Sequence, residues 1–266
     1  GIVDIAMITS LGREDNINDL VRDYGMVIVD ECHHAAAVTH ENVLGAVTAR
    51  SVYGMSATIQ RGDRQDKKML MQLGPIRHRY TAKERAQKQG IGHYIYPRFT
   101  RLVDLNPSEG KNPSDYYRLI MQSELRNMQV VSDTIDCVKR GRTPVIMTKY
   151  KEHAQKLYDM LQGSADHVFL LQGGKSLKER SAIREQMAAV RADESIILVA
   201  IGQYVGEGFN YPRLDTMLLA MPISFEGNVE QHAGRLNRDY EGKKDAIIFD
   251  YIDQHVPALK RMYYKR

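Results

Sequence analysis

The amino-acid sequence predicts an α/β protein in which helices flank parallel sheets. Short apolar runs of strand length alternate along the chain with longer stretches of helical pattern, and this alternation is typical of parallel strands joined by crossover helices. A length of 266 residues is sufficient for two domains of ordinary size, each with its own hydrophobic core. We therefore predict two domains, at residues 1–90 and 91–266.

The first domain is predicted to contain three strands, "IAMIT" (5–9), "MVIVDE" (26–31) and "SVYGMSAT" (51–58). Met26 to Val29 form an uninterrupted apolar run, which is typical of a strand covered on both faces. Residues 80–113 interrupt the pattern with prolines and glycines. We interpret them as a linker that leads into an entry strand around "YPRFTRLVDL" (96–105).

The second domain is predicted to contain five further strands, at 143–148, 167–173, 195–201, 216–221 and 244–252. Helices are expected between them at 151–162, 176–190 and 229–238, with a longer helix near 114–139. This series has no interruption, so we predict that the second domain contains a complete sheet.

Composition and charge exclude several classes of protein. A hydrophobic content of 43% and a charged content of 26% are those of a globular chain rather than a disordered one. The sequence has neither an apolar run of about 20 residues nor a secretion signal, so we expect a cytoplasmic protein without a membrane partner. Cys32 and Cys137 are the only cysteines, and reduced thiols are the default. The net charge of +4 permits a nucleic-acid partner without arguing for one.

Two adjacent acids, Asp30 and Glu31, follow the apolar run of the second predicted strand. Open α/β sheets form their ligand crevices at the carboxyl ends of strands, and an acidic pair there suits a magnesium ion and a water activated for attack on phosphate. The alternative is structural, because a carboxylate also stabilises the first turn of a following helix. Both interpretations are open on these residues alone.

A phosphate-binding loop is suggested by "LLQGGKSL", in which Gly173 to Ser176 lie between a predicted strand and a predicted helix. The full GxxxxGK[ST] spacing requires a glycine at position 169, where the sequence has Phe169. We therefore interpret the segment as an ordinary turn. No other GK[ST] triplet occurs, so the two acids have no phosphate-binding loop within these 266 residues.

Three short motifs together resemble superfamily-two helicases of the DEAD/DEAH-box kind. They are "DECH" at 30–33 as motif II, "SAT" at 56–58 as motif III and "QHAGRLNR" at 231–238 as motif VI. The segment before motif II, "IAMITSL", and segments similar to motifs IV ("TPVIMTKYKEHAQKLYDML") and V ("ILVAIGQYVGEGFNYPRLDTMLLAMP") fit the same order. The resemblance covers nearly the whole chain and is closest to the restriction-subunit-like bacterial branch.

The resemblance implies two RecA-like lobes that use ATP and Mg²⁺, with motifs II and III on the first lobe and motifs IV to VI on the second. The first lobe would be incomplete, because motif I and its strand would precede residue 1, whereas the second would be complete. The chain is thus expected to be a motor-core fragment of an ATP-dependent helicase or translocase and to hydrolyse almost no ATP by itself. Its partner would be DNA or RNA, with DNA favoured, bound through the backbone without strong sequence preference.

The resemblance also assigns catalytic roles. Asp30 would hold Mg²⁺ through water, and Glu31 would activate the attacking water. Arg235 and Arg238 would stabilise charge at the γ-phosphate, since arginine stays charged and binds phosphate oxygens bidentately. Gln231 would connect the nucleotide site to motif II.

Further residues are assigned by their place in the motifs. The nucleotide-binding group comprises Gly206, Glu207, Gly208 and Asn210. The group that couples hydrolysis to lobe movement comprises His33, Ser56, Ala57 and Thr58. Nucleic acid would be contacted by Thr9, Ser10, Thr148 and Lys149, although hydroxylated residues at strand ends also cap helices. A zinc site at Cys32, His33 and His34 is disfavoured, because consecutive residues cannot readily form a tetrahedral shell.

Three residues depart from the family pattern, namely Ile59 after motif III, and Ile201 and Asn210 in motif V. The family commonly has proline, threonine and aspartate there. These departures support an alternative, in which a degenerate helicase body serves as a non-catalytic nucleic-acid-binding or scaffolding module. A missing strand beside "SVYGMSA" (51–57) would also leave an exposed edge, through which the first lobe could self-associate.

Overall fold

The computed structural model describes residues 3–13, 16–34, 38–56, 66–80, 84, 90–106, 111–173, 177–202, 210–222, 236 and 238–264. The fold is mixed α/β, with parallel sheets flanked by helices, as predicted. The chain divides into two compact units, Gly1–Tyr80 and Thr81–Arg266. None of the described helices combines the length and the apolar character that a membrane crossing requires.

The unit Gly1–Tyr80 contains a short antiparallel pair and a parallel pair of strands with small helices around them. Its helices are α1 (Ile8–Leu11), α2 (Val38–Gly45) and α3 (Asp66–Leu73), with 3-10 helices at Asp19–Arg22 and Cys32–His34. Its strands are β1 (Gly12–Arg13), β2 (Asn16–Ile17), β3 (Met26–Val29) and β4 (Ser51–Gly54).

Strands β3 and β4 pair in parallel from Met26 opposite Ser51 to Val29 opposite Gly54. The prediction that β3 is covered on both faces is wrong, since Met26 and Ile28 are 56% and 57% exposed. Successive side chains of a strand point to opposite faces, and the small core of this unit lies on the face to which Val29 points. Among the described residues β3 is the only partner of β4, and self-association through the other edge stays a prediction.

The strand predicted at 5–9 is also wrong, because the chain enters helix α1 at Ile8. Both the amide and the hydroxyl of Ser10 donate to the carbonyl of Met7, at 2.8 Å and 2.6 Å. A hydroxyl that binds a nearby carbonyl competes with strand pairing, and here it closes a helical turn. The apolar side chains of Ile5 and Met7, which precede this helix, are exposed.

The unit Thr81–Arg266 contains a six-stranded, fully parallel sheet in the order β5-β10-β9-β6-β8-β7. Its strands are β5 (Gly92–Phe99), β6 (Pro144–Thr148), β7 (His167–Leu171), β8 (Ile196–Ile201), β9 (Thr216–Leu219) and β10 (Asp245–Ile252). Its helices are α4 (Pro113–Gln122), α5 (Glu124–Lys139), α6 (Lys151–Met160), α7 (Leu177–Ala189) and α8 (Pro257–Tyr263).

The five strands predicted for the second domain are confirmed, and the entry strand is present but begins earlier. Strand β5 runs from Gly92 because it pairs with all eight residues of β10. The predicted long helix is two helices that meet at Ser123, whose extended backbone ends α4 and whose hydroxyl accepts from the Arg126 amide at the start of α5. Of the helix predicted at 229–238, only Leu236 and Arg238 lie among the described residues.

The central strands β6, β8 and β9 are buried at every position, which accounts for their uninterrupted apolar sequences. Alternate side chains enter different cores. Val145, Met147 and Leu198 belong to one cluster, and Ile146 and Val199 belong to another. Two packed faces fix this sheet rigidly, so the carboxyl ends of its strands hold their side chains in defined places.

Candidate functional site

The acidic pair lies in the turn between β3 and the 3-10 helix Cys32–His34. Asp30 Oδ1 accepts from the Glu31 amide at 2.9 Å, and Glu31 has a φ of 47°. A residue other than glycine pays a conformational cost in this left-handed region. The turn is held by tertiary pairing, because the Cys32 amide donates to the Met55 carbonyl at 2.9 Å. An acidic turn held in this way against its conformational preference is a candidate site.

The structure brings the two predicted motifs of this unit into contact. Main-chain pairing continues beyond the strands, from the Met55 amide to the Val29 carbonyl at 2.9 Å. His33 Nδ1 lies 3.0 Å from Ser56 Oγ and 3.2 Å from Glu31 Oε2. Glu31 Oε2 is buried and makes no hydrogen bond to the described residues. Its contact with His33 is within ion-pair distance but does not have hydrogen-bond geometry. Glu31, His33 and Ser56 thus form one chain of contacts.

Cys32 supports this turn by packing rather than by chemistry. Its side chain is buried beside Met69, with 3.9 Å between the sulfur atoms, and burial raises the pKa of the Cys32 thiol. Gly54 leaves the space that Cys32 occupies. A Cβ on Gly54 would lie 2.8 Å from Cys32 Sγ and 2.7 Å from Leu73 Cδ1. Both Cys32 and Cys137 are free and buried, as expected for reduced thiols.

We expect Gly54→Ala to destabilise the unit Gly1–Tyr80 by about 1 to 3 kcal/mol, because an added methyl overpacks the space between β4 and Cys32. Hydrogen exchange of the β3 and β4 amides measures the effect. Gly25→Ala is the matched control, since a Cβ there meets no atom within 4 Å. Equal protection of β3 and β4 in the two variants would contradict the prediction.

In the other unit, the hydroxyl of Thr148 belongs to an internal network at the carboxyl end of β6. The Asn127 side-chain amide donates to the Met121 carbonyl at 2.9 Å, so its oxygen faces His153 Nε2, also at 2.9 Å. Nε2 therefore carries the proton, and Nδ1 accepts from Thr148 Oγ1 at 2.7 Å. Burial lowers the pKa of His153 to about 3, which keeps the ring neutral. The Thr148 proton is committed to His153 and is not available for a phosphate.

Lys149 differs from its neighbour, because its side chain is exposed at the end of a central strand. Its ammonium lies 4.6 Å from the ring centre of Tyr117 and 5.9 Å from that of Tyr150. Such cation–π contacts orient a lysine while leaving it charged. In the unit Gly1–Tyr80, Thr9 and Ser10 are exposed on α1, and the Ser10 hydroxyl donates to Met7.

The end of the "QHAGRLNR" segment is anchored on both sides. Leu236 is buried in the core cluster that also contains Leu214 and Ala246. Arg238 is half-buried, and its carbonyl accepts from Lys243 Nζ at 3.2 Å. In the described part of the chain, no group of three His, Cys, Asp or Glu side chains could hold a metal ion.

Comparisons of sequence identify relatives of the chain. A family model described as the type III restriction enzyme, res subunit, matches residues 2–61. The chain is 27% identical to the probable helicase D10 of Escherichia phage T5. That alignment of 257 residues covers 92% of this chain and 52% of the phage protein. It is 21% identical to the ATP-dependent DNA helicase uvsW of Enterobacteria phage T4, over 86% of this chain and 46% of that protein. The chain spans about half the length of the curated relatives it matches.

Solved structures show the same fold. T4 UvsW aligns with a TM-score of 0.51 and 19% identity, over 97% of this chain and 53% of that chain. The ATP-dependent type ISP restriction-modification enzyme LlaBIII, bound to DNA, aligns with a TM-score of 0.56 and 14% identity, over 87% of this chain and 18% of that chain. At these identities the likeness concerns the fold, which is that of RecA-like helicase domains.

The chain is similar to superfamily-two helicases, and among them to the restriction-subunit-like branch. Motifs II and III therefore correspond to the acidic turn and the end of β4, which the structure brings together through His33 and Ser56. The similarity to helicases also bears on Ile201, one of the three departures from the family pattern. Ile201 is buried in the core cluster with Leu218 and Tyr251, so it packs where the family commonly has a threonine that contacts phosphate.

Several residues of the helicase motifs are outside the described part of the chain. Asn210 is described and exposed. The undescribed ones are Ala57, Thr58, Ile59, Gly206, Glu207, Gly208, Gln231 and Arg235. Sequence reasoning missed Lys243, which donates to the Arg238 carbonyl, and the pair His153 and Asn127, of which His153 binds Thr148. The glycine at 242 predicts a turn before Lys243, but no local pattern indicates where the lysine side chain binds.

Proposed function

We propose that this chain forms part of the motor core of an ATP-dependent helicase or translocase, in which ATP hydrolysis drives strand separation or movement along nucleic acid. The observation that carries the proposal is the acidic turn of motif II, with its contact from His33 to Ser56 of motif III. The relatives, which are named as helicases, support the same activity. The unit Gly1–Tyr80 would belong to the ATP-binding lobe, and Thr81–Arg266 would be the second RecA-like lobe.

The chemistry proposed for motif II follows from its hydrogen bonds. Asp30 uses one carboxylate oxygen for the Glu31 amide, and the other accepts no hydrogen bond from the described residues. That oxygen suits a water of the Mg²⁺ that accompanies ATP and neutralises its phosphates. Glu31 has a buried oxygen without a hydrogen bond to the described residues, which suits it to orient a water and to take its proton. His33 would transmit the state of this site to motif III.

Motifs V and VI would supply the remaining nucleotide contacts. Arg235 and Arg238 are proposed to stabilise the charge that develops on the γ-phosphate, and Gln231 to connect them with motif II. Gly206, Glu207, Gly208 and Asn210 are proposed as further nucleotide contacts. Ala57 and Thr58 would act with Ser56 and His33 in coupling.

Nucleic acid is proposed to bind through its backbone. Lys149 is the strongest candidate contact, since its exposed charge is oriented by Tyr117 and Tyr150. Thr9 and Ser10 are proposed contacts on the first unit, whereas Thr148 would act by fixing the position of Lys149. DNA is favoured because uvsW is named a DNA helicase and LlaBIII was solved with DNA. A cytoplasmic location is proposed with it.

The alternative of a non-catalytic scaffold is not favoured. Ile201 is one of the departures that supported it, and the burial of that side chain in a core accounts for an isoleucine there. The acids Asp30 and Glu31 and the arginine Arg238 are all retained. In a module without catalysis, nothing would favour the strained backbone of Glu31, a non-glycine residue with a φ of 47° at motif II. Its relatives are named as helicases.

Replacing Glu31 with glutamine in the full-length protein that contains these residues tests the proposal. We expect nucleic-acid-stimulated ATP turnover to fall by a factor of about 10² to 10⁴, with ATP still bound, because glutamine cannot take the proton of the attacking water. Glu41→Gln is the matched control, since Glu41 forms an exposed ion pair with Lys68 at 3.7 Å. Stimulated turnover that survives Glu31→Gln would refute the proposed function.

A further inference from the structure

Lys243 donates hydrogen bonds to three main-chain carbonyls in two separate segments of the chain. Its Nζ donates to the carbonyl of Leu214 at 2.5 Å, of Pro212 at 3.0 Å and of Arg238 at 3.2 Å. An ammonium group has three donors and no acceptor, so every donor is used. Burial lowers the pKa of Lys243 to about 8, which leaves the group charged with all three protons at neutral pH.

The sequence places this lysine by a tight turn. The Lys243 amide donates to the Tyr240 carbonyl at 3.1 Å, and Gly242 has a φ of +82°, so residues 240–243 form a turn that requires glycine at its third position. The turn reverses the chain just before β10. It returns the lysine side chain to the end of motif VI and to the segment that precedes β9.

The surroundings keep the ammonium charged and in place. Asp215 and Asp239 raise the pKa of Lys243, and Arg142 lowers it. Asp215 is itself fixed, because it accepts from the Thr143 amide at 3.0 Å. A partly buried cation that donates to three carbonyls, with two acids nearby, has little freedom to move, and the main chain that it binds is restrained with it.

We propose that Lys243 is a positioning residue for Arg238. It ties the main chain of Arg238 to the segment that precedes β9, through the Leu214 carbonyl, while Leu236 anchors the same part of motif VI in the core. An arginine that stabilises a developing charge is effective only when its guanidinium is held near its working position before the reaction. The inference rests on the proposed function, in which Arg238 acts on the γ-phosphate.

A purely structural role for Lys243 makes a different prediction. If the lysine only stabilised the segment around Pro212 and Leu214, its loss would lower the unfolding midpoint and leave kcat per folded molecule unchanged. A positioning role lowers kcat, because the guanidinium is misplaced in the transition state, and leaves the KM for ATP nearly unchanged.

The test uses Lys243→Met in the full-length protein that contains these residues. We expect kcat for nucleic-acid-stimulated ATP hydrolysis to fall by about tenfold to a hundredfold. Lys244→Met is the matched control, because Lys244 is exposed and makes the same change of charge one residue away. Its kcat should equal that of the unchanged protein. Lys243→Arg replaces the methionine variant if that variant does not fold, since a planar guanidinium cannot converge on three carbonyls in the same way.

A double-mutant cycle with Arg238→Ala separates this inference from the proposed function. If Lys243 acts through Arg238, adding Lys243→Met to Arg238→Ala lowers kcat by less than about twofold further. Fully multiplicative losses would overturn the positioning role while the proposed function stands. An unchanged kcat in Arg238→Ala alone would overturn the proposed function, and the positioning role with it.

Discussion

We expect Arg238→Ala to lower nucleic-acid-stimulated ATP turnover by a factor of about 10³ to 10⁵, with ATP affinity changed only a few-fold. The guanidinium interacts most strongly with the transition state, where charge spreads over the γ-phosphate oxygens. Its loss therefore raises the activation barrier for hydrolysis more than it weakens ATP binding. The measurement is kcat and KM for ATP in the full-length protein that contains this chain, at saturating single-stranded DNA.

Two further variants sharpen this result. Arg238→Lys keeps the charge but not the planar fork that binds two phosphate oxygens, so we expect it to restore only part of the lost turnover. Arg118→Ala is the matched control, because Arg118 is an exposed helix residue with a loose contact of 3.8 Å to Asp115. Near-normal turnover in Arg238→Ala would mean that motif VI is structural.

The strands of the six-stranded sheet could be predicted from the sequence because the central ones are buried on both faces. Their apolar runs are unbroken, and the pattern therefore marks β6, β8 and β9 clearly. The same pattern misled at β3, where Met26 and Ile28 are exposed. A run of apolar residues records a preference for burial, but the sequence of one strand does not say how many neighbouring elements cover it.

Local side-chain bonds caused the other errors. The hydroxyl of Ser10 closes a helical turn where a run of apolar residues indicated a strand. Ser123 separates two helices whose combined apolar pattern indicated one. Both effects depend on a single hydroxyl, which has less weight in a pattern than the apolar residues around it.

In the candidate site, contacts between residues close in sequence could be predicted, whereas contacts between distant residues could not be predicted from local pattern. Asp30 and Glu31 could be predicted because both follow one strand. The contact between His33 and Ser56 could be expected only from motif spacing, since 23 residues separate them. The three carbonyls around Lys243 lie 5, 29 and 31 residues away along the chain, and only the folded sheet brings them together.

A further contact that the sequence does not reveal is the ion pair between Arg126 and Asp253. Both side chains are fully buried, and Arg126 Nε lies 2.7 Å from Asp253 Oδ1. Arg126 Nη1 also donates to the Ala220 carbonyl at 2.7 Å, and Thr100 Oγ1 donates to the same Asp253 oxygen at 2.6 Å. One arginine of α5 thus joins the chain segments that follow β5, β9 and β10.

We expect Arg126→Met to lower the free energy of unfolding of the unit Thr81–Arg266 by about 3 to 5 kcal/mol. The methionine fills much of the same space, but it leaves the Asp253 carboxylate buried without its cation, and an unpaired buried charge is the costly result of breaking such a pair. Urea unfolding followed by far-ultraviolet circular dichroism measures the change, since the chain has no tryptophan for fluorescence.

The double variant Arg126→Met with Asp253→Leu decides whether the pair itself or the orphaned charge determines this loss. Replacing both charges by apolar side chains removes the desolvation cost of each, so we expect the double variant to recover at least half of the stability lost in Arg126→Met. Arg118→Met, at an exposed ion pair, should change stability by less than about 1 kcal/mol. If the double variant were less stable than Arg126→Met alone, the bonds to Asp253, rather than its unpaired charge, would be the larger contribution.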